Sequence, residues 1–385
     1  MNSDLFCTWI PKFLKLPILL LIAVGLSFCS GIPNSIYSYI ISDQAANTKK
    51  RLIISWIMIQ ITLTFALSIN QTPLINVILM FVLGGIKIIV TMAMITELMP
   101  YLMPTGERYQ MYAIYYPMNL IFPIIGSLIA AYVARQYYWE LGYHFQNLTL
   151  FICLFLVVIC LKTRFTKKVP LFQYDWLGTI LMASGLLSFS FVASYGVQNN
   201  WLTSKSIVIA IVLTIIFFIL FFNQNFRKKR KIISFSTFFN KPTFLTLLTI
   251  FILGIFYANT SLLSNLMNIL LPSNPTRHAE TNSFVIIGYI VGSIVVFLYF
   301  KRTKKCKAIF IVSALLYLTS NFMLFNLINS NTPLDYLIMP IVLRGMAIII
   351  SFISTAVYLA GNVNGKIFLQ SIVLFLLVRT FFVTV

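Results

Sequence analysis

Long apolar runs separated by short polar breaks recur along the whole sequence. Most of these runs reach about 18 residues, which is long enough to cross a hydrocarbon layer of roughly 30 Å as an α-helix. The pattern predicts an all-α, polytopic membrane protein with about 12 transmembrane spans. The predicted spans lie near 16–41, 52–69, 74–98, 109–134, 147–161, 174–194, 205–222, 242–262, 282–300, 308–328, 335–359 and 366–385.

The composition agrees with this pattern and excludes a water-soluble core. Hydrophobic residues make up 59% of the chain and charged residues 9%, whereas soluble domains carry roughly a quarter charged residues. The net charge of +20 would favour nucleic acid as a partner in a soluble protein. Here the positive residues cluster between apolar runs, so they indicate membrane topology, and no nucleic-acid partner is expected.

Basic clusters mark every other connection between the predicted spans. They lie at 48–51, 162–168, 227–231 and 301–305, and such clusters stay on the cytoplasmic side of a membrane. The sequence therefore predicts a multi-pass protein of a bacterial-type inner (plasma) membrane. The first span does not fit, because the alternation places the amino terminus outside although Lys12 and Lys15 precede that span.

The sequence offers little support for an enzyme or a metal protein. The five cysteines show no CxxC spacing, and His144 and His278 are the two histidines of the chain. No nucleophile elbow, phosphate loop, HExxH motif or paired-carboxylate constellation occurs. We therefore expect no enzymatic activity, no metal site and no cofactor.

Four ionisable residues lie inside predicted spans, where a charge costs roughly 2.5–3.5 kcal/mol on insertion and usually marks a pathway. Lys87 follows two glycines near mid-span, and we expect it to line a solute pathway; the alternative is a structural lysine. Glu97 is either a protonatable relay or a cap. Arg344, directly before Gly345, contacts solute or anchors helix packing. Arg379 lies near the chain end, where extension to the membrane surface is an equal alternative.

Polar and aromatic residues at helical spacing give a second set of candidates. Tyrosines can instead belong to the membrane-interface belt, which suits Tyr109 and Tyr112 better than Tyr116. Asparagines within spans can instead bond neighbouring helices. The candidates are Tyr112, Tyr116, Asn119 and Pro123 in the span 109–134, and Asn259, Asn265 and Asn268 along one edge of the span that starts at Lys241.

The motif FPIIGS at 122–127 resembles the antiporter signature G-P-x-x-G-G of the fourteen-helix drug/proton antiporter branch of the major facilitator superfamily. Pro123 and Gly126 match this signature, while Phe122 and Ser127 replace glycines. In that family this face packs against a helix of the other half and is implicated in antiport. The resemblance therefore adds Gly126 to the candidate residues for substrate or coupling.

A second stretch, 167–244, is similar to the two extra helices of the same branch. Asp175, Trp176 and Gly178 stand at the family's D-W-x-G entry, Trp201 follows the next loop, and Pro242 opens the following helix. An Asp at the start of a helix is favourable beside the helix dipole. We expect Asp175 to be an amino-terminal cap.

The resemblance implies a major-facilitator-like, two-bundle helical barrel. It divides the chain into an N-terminal bundle at 1–161 with an atypical first span, two linker helices with basic cytoplasmic loops at 162–241, and a C-terminal bundle at 242–385. The family's second and last helices have no counterpart here, so the C-terminal bundle is expected to be incomplete.

The function that this implies is secondary active transport of a small solute by alternating access. Efflux by antiport, with protons as the coupling ion, is the family pattern. Three cations inside spans favour an amphipathic or anionic solute, and membrane lipid is a further partner. The alternative is a degenerate or truncated membrane protein of this family that transports nothing.

Overall fold

The computed structural model describes residues 46–103, 106–138, 140–160, 175–196, 198–227, 235–270, 275–303, 305–327 and 334–363, with scattered positions between 367 and 378. Twelve α-helices and two short 3₁₀ turns, Trp201–Thr203 and Leu334–Leu337, have defined bounds in these ranges, which contain no strand. The helices are α1 (Ala46–Ile69), α2 (Pro73–Leu102), α3 (Arg108–Gln136), α4 (Glu140–Cys160), α5 (Trp176–Tyr195), α6 (Lys205–Arg227), α7 (Phe235–Phe239), α8 (Lys241–Leu270), α9 (Pro275–Ser283), α10 (Val285–Thr303), α11 (Lys307–Leu327) and α12 (Ile338–Asn362).

The apolar helices coincide with the predicted spans. Seven helical stretches of the described chain are long and apolar enough to cross a membrane, and three further apolar helices are shorter. Each of these ten corresponds to one predicted span from 52–69 to 335–359. The span predicted at 16–41 lies outside the described residues, and the one at 366–385 is described only in part. The all-α membrane fold is confirmed.

The described helices form two compact units that are not continuous in sequence. Unit 1 combines the described residues up to Ile95 with Tyr143–Phe238 and with positions from Ile372 onward. Unit 2 combines Thr96–Gly142 with Phe239–Ser371. The predicted division at 161 and 241 stays a prediction.

In unit 1, α1 packs antiparallel against α4. Ile53, Ile57 and Ile61 form a buried cluster with Val157 of α4. At one end of the pair Lys50 Nζ donates to the Val158 carbonyl, 2.7 Å away. At the other end the rings of Phe65 and His144 lie 6.2 Å apart. Val158 lies in the last turn of α4, where a cation stabilises unpaired carbonyls and the negative end of the helix dipole.

Asp175 caps the amino terminus of α5, as the sequence predicts. Its Oδ1 accepts a hydrogen bond from the backbone N–H of Gly178, 3.1 Å away. The same oxygen accepts from Gln224 Nε2 of α6 at 3.2 Å. A Cβ on Gly178 would lie 2.9 Å from Asp175 Cγ. The D-W-x-G motif is thus explained, because the cap carboxylate occupies the space that a side chain at 178 would need.

The other end of the α5–α6 pair is closed by a turn that contains Trp201. Asn200 and Trp201 both have left-handed backbones, with φ of 52° and 50°. The Trp201 N–H donates to the Gly196 carbonyl at 2.7 Å. A Cβ on Gly196 would lie 2.6 Å from the Trp201 ring. The indole therefore packs directly on the backbone of Gly196. This contact helps to define where α5 ends and α6 begins.

In unit 2, α12 is the central helix. It contacts α3, α8, α10 and α11, and it is buried along most of its length, from Pro340 to Leu359. Two serines of α11 bond its backbone: Ser313 Oγ donates to the Ala347 carbonyl at 3.0 Å, and Ser320 Oγ to the Pro340 carbonyl at 2.8 Å. Hydroxyl to carbonyl bonds of this kind join helices in membranes.

Candidate functional site

Lys87 occupies an unusual position on α2 of unit 1. It lies near the middle of this 30-residue helix, roughly 20 Å from either end at 1.5 Å of rise per residue. Leu83 and Gly84, which precede it by four and three residues and so share its face, are both buried, yet Lys87 is exposed. Ile78, on the opposite face of the helix, is 55% exposed. An ammonium on the inward-facing side of an apolar helix requires water or a polar group beside it.

Tyr112 and Tyr116 lie in a packed aromatic cluster of unit 2. They are 8% and 5% exposed, and their rings lie 5.7 Å apart. The Tyr116 ring lies 6.5 Å from that of Phe352 on α12. Aromatic contacts thus hold the first half of α3 against α12. In this structure both tyrosines fill the core of unit 2.

The same face of α3 becomes exposed further along the helix. Asn119, Pro123 and Gly126 are all exposed, and a Cβ on Gly126 would meet nothing within 4 Å. The helix continues through both Pro117 and Pro123. An exposed asparagine inside an apolar span suits contact with water better than contact with lipid tails. The close helix packing that the antiporter signature implies at Gly126 does not occur among the described residues.

Both ends of α3 are anchored within unit 2. At its start, Arg108 Nη1 donates to the Ala360 carbonyl at 3.1 Å, and its guanidinium lies 4.3 Å from the centre of the Phe368 ring. Ala360 belongs to the last turn of α12, so Arg108 satisfies a carbonyl that the helix itself cannot pair.

At its other end α3 contacts α9 through polar side chains. Tyr132 donates a hydrogen bond to Glu280 Oε1. Arg135 Nη1 donates to Thr276 Oγ1 at 2.8 Å. The helix that carries the antiporter-like motif is therefore fixed to α12 at one end and to α9 at the other.

Arg344 lies in the most tightly packed part of unit 2. Its side chain is 5% exposed. The next residue, Gly345, approaches α10 so closely that a Cβ there would lie 2.7 Å from the Val285 carbonyl oxygen. A Cβ on Gly288 of α10 would lie 2.8 Å from the Met346 nitrogen. Gly345 thus allows α10 to approach α12 backbone to backbone.

The sequence reasoning missed the partner of Gly345, although a signal was present. Gly288 and Gly292 form a G-x-x-x-G motif on α10, the small-residue spacing that lets membrane helices meet backbone to backbone. A Cβ on Gly292 would lie 3.1 Å from the Met346 Cα.

A polar seam on α1 was also missed. Gln60, Thr64 and Ser68 recur every fourth residue and are all buried. Because α1 and α4 are antiparallel, Asn147 of α4 lies near the level of Gln60. Within the described residues, Gln60 Nε2 and Asn147 Oδ1 are buried without a hydrogen-bond partner. A donor and an acceptor that can link two membrane helices thus lie at the same level of unit 1.

Five sequence candidates fall outside this description. Glu97 lies in α2, and Asn259, Asn265 and Asn268 lie in α8, but their side chains are not among the described ones. Arg379 lies outside the described residues altogether.

Comparisons with known proteins address the fold. No protein-family model and no curated protein matches the chain. A solved structure of a mutant peptide transporter POT in complex with sulfate is similar over 95% of this chain and 78% of that one, with a TM-score of 0.62 and 14% sequence identity. The chain has a major-facilitator-like fold. At this identity the likeness concerns the fold alone, and membership of the fourteen-helix drug/proton antiporter branch stays a prediction.

Proposed function

We propose that the protein is a secondary active transporter in which Lys87 lines an aqueous solute pathway. The exposure of Lys87 on the face of α2 that carries the buried residues Leu83 and Gly84 is the observation that carries this proposal. A lysine side chain is too short to reach either membrane surface from mid-helix, and a charge among lipid tails is strongly unfavourable. Water-filled access to this position accounts for its exposure, and transporters place their solute sites near the membrane midplane.

The charge of Lys87 suits an anionic or amphipathic solute. An ammonium binds carboxylate, phosphate or sulfonate groups as a point charge. Export by alternating access, with a proton as the coupling ion, is our specific proposal.

Flux through the purified protein tests the proposal. Proteoliposomes would be loaded with carboxyfluorescein as an anionic amphipath or with ethidium as a cationic one, with and without a pH gradient. We expect gradient-driven movement of the anion by the parent protein, none by Lys87→Met and an intermediate rate by Lys87→Arg. Lys241→Met, at the exposed first residue of α8, is the matched control and should transport normally.

Two results would contradict the proposal. Parent protein that moves neither probe above empty liposomes would favour the alternative of a non-transporting family member. Normal flux in Lys87→Met would leave transport in place but remove Lys87 from the pathway. Thermal unfolding of every variant shows whether a loss of flux is a loss of fold.

A further inference from the structure

The turn between α10 and α11 carries a concentration of positive charge that is not neutralised within the described part of the chain. The sequence KRTKKCK at 301–307 holds five Lys and Arg residues, and no Asp or Glu occurs anywhere between 281 and 334. Four of these cations are described and exposed, and none makes a hydrogen bond or an ion pair with another described residue: Lys301, Arg302, Lys305 and Lys307.

Other cations at helix ends in this protein are used differently. Lys50 donates to a carbonyl in the last turn of α4, and Arg108 does so for α12. Those two residues stabilise helix carboxyl termini within their own units. The four described cations of the α10–α11 turn make no such hydrogen bond with another described residue, so their charge is available to a partner.

The four cations lie at two different helix ends, and only one of these ends favours positive charge. Lys301 and Arg302 lie in the last turn of α10, where cations offset the helix dipole. Lys305 and Lys307 instead flank the start of α11, whose first turn holds no acid and begins with Lys307. The amino end of a helix is positive and favours anions, so these lysines add repulsion that nothing in the described structure relieves.

The surroundings of the turn indicate what kind of anion fits. Both helices are long and apolar enough to span a membrane, so the turn lies at the membrane surface. Directly below it, apolar side chains of both helices are exposed, including Leu298 at 51%, Ile311 at 53% and Leu315 at 55%. A partner with an anionic headgroup and acyl chains satisfies the charge and covers these side chains together.

Glu107 lies at the start of α3, a helix that contacts α10. It precedes Tyr109, whose ring lies 6.4 Å from that of Phe300 at the end of α10. Glu107 is half-buried and has interactions of its own. One carboxylate on the α10 side would in any case leave a surplus of positive charge around Lys305 and Lys307.

We propose that the α10–α11 turn is a binding site for an anionic phospholipid, whose phosphate lies against Lys305, Lys307 and the first turn of α11. Positive clusters beside membrane helices bind anionic lipid headgroups, with roughly a fivefold gain in affinity for each Lys or Arg near the surface. The amino end of α11 adds unpaired backbone N–H groups that donate hydrogen bonds to phosphate oxygens. This site is independent of the solute pathway proposed above.

Native mass spectrometry of the full-length protein tests the site. Protein reconstituted in dioleoylphosphatidylglycerol or dioleoylphosphatidylcholine would be released into detergent, and retained lipid counted. We expect preferential retention of phosphatidylglycerol, and a loss of affinity of roughly 30-fold in the double variant K305Q/K307Q, because two lysine contributions are removed. K305R/K307R keeps both charges and should bind as the parent does. K205Q is the matched control, since Lys205 is also an exposed lysine at the first residue of a spanning helix.

Several outcomes would overturn the proposal. Equal retention of the two lipids, unchanged binding by K305Q/K307Q, or the same loss in K205Q would each remove the site. Displacement of phosphatidylglycerol by millimolar inorganic phosphate would assign the turn to free phosphate instead of lipid. All four side chains are exposed, so thermal unfolding of the variants should match the parent and any lipid effect is attributable to charge.

Discussion

At the scale of single residues, the cap of α5 links a sequence motif to a stability that can be measured. Gly178→Ala places a methyl group against the Asp175 carboxylate. The carboxylate must then move away and lose the hydrogen bond that it accepts from the backbone N–H of residue 178. Loss of an amino-terminal cap costs about 1 kcal/mol, and thermal unfolding in detergent should show this. Gly126→Ala is the control, because a Cβ there meets nothing within 4 Å. A Gly178→Ala variant as stable as Gly126→Ala would contradict the assigned role.

The single described cysteine beside the α10–α11 turn should be a slow thiol. Partial burial raises the pKa of the Cys306 thiol above its ordinary value of 9.0. A raised pKa leaves less thiolate at neutral pH, and the thiolate is the reacting form. With Cys306 as the sole cysteine, maleimide labelling should be slower at pH 7 than at a cysteine placed at exposed Thr303, and the difference should shrink as pH rises through the raised pKa. Equal rates at pH 7 would refute the shift.

At the scale of helices, the contact of α10 with α12 depends on glycine. Gly345→Ala would put a Cβ against the backbone of Val285, which cannot rotate away as a side chain can. Overpacking of this kind costs about 1–3 kcal/mol. Gly142→Ala, which meets nothing within 4 Å, should cost much less. Unfolding temperatures of the two variants measure the difference. Similar values would mean that α10 and α12 can move apart at little cost in stability, which would contradict the prediction.

Arg108 should stabilise the carboxyl end of α12, as Lys50 should stabilise the carboxyl end of α4. Arg108→Gln removes a cation from the last turn, an effect of about 0.3–1 kcal/mol at exposed sites. Hydrogen exchange at residues 358–362 should become faster, while Arg51→Gln, an exposed arginine of α1, should leave it unchanged. Unaltered exchange in Arg108→Gln would show that the Ala360 contact contributes nothing.

The helices and their caps could be predicted from sequence because they depend on near neighbours. A run of apolar residues defines a span by its length, and the Asp175 cap involves a residue three positions away. Periodicity identifies a face of a helix but not what that face meets. Tyr112 and Asn119 share a face, yet one is buried against α12 and the other is exposed. Likewise the G-x-x-x-G motif on α10 acquires its meaning from Gly345, more than fifty residues later.

At the scale of the whole molecule, the contacts within each unit join helix ends that the charge pattern places on the same membrane face. Lys50 meets the end of α4, Arg108 meets the end of α12, and Arg135 meets α9. This agreement supports a topology test with an impermeant maleimide in intact cells. A cysteine at Leu202, which is 74% exposed, should be labelled, and one at Lys305 only after lysis. The reverse pattern would invert the predicted topology.

The division into units bears on how such a protein would move. The antiporter-like helix α3 is anchored at both ends within unit 2, through Arg108 and Arg135. Lys87 belongs to unit 1. If alternating access operates here, the prediction is that α3 moves with α12, so a disulfide between cysteines at Tyr116 and Phe352 should leave flux intact. A flux lost on oxidation and restored on reduction would contradict this.

The central claim is that Lys87 faces an aqueous pathway, and thiol accessibility at that position tests it most directly. Single cysteines would replace Lys87 or Ile78, which are both exposed but lie on opposite faces of α2. Labelling rates with a charged, water-soluble methanethiosulfonate would then be measured in membranes from each side. We expect rapid reaction at 87, from both sides as the protein alternates, and slow reaction at 78, on the face that we expect to contact lipid. Equally slow reaction at both positions would contradict it.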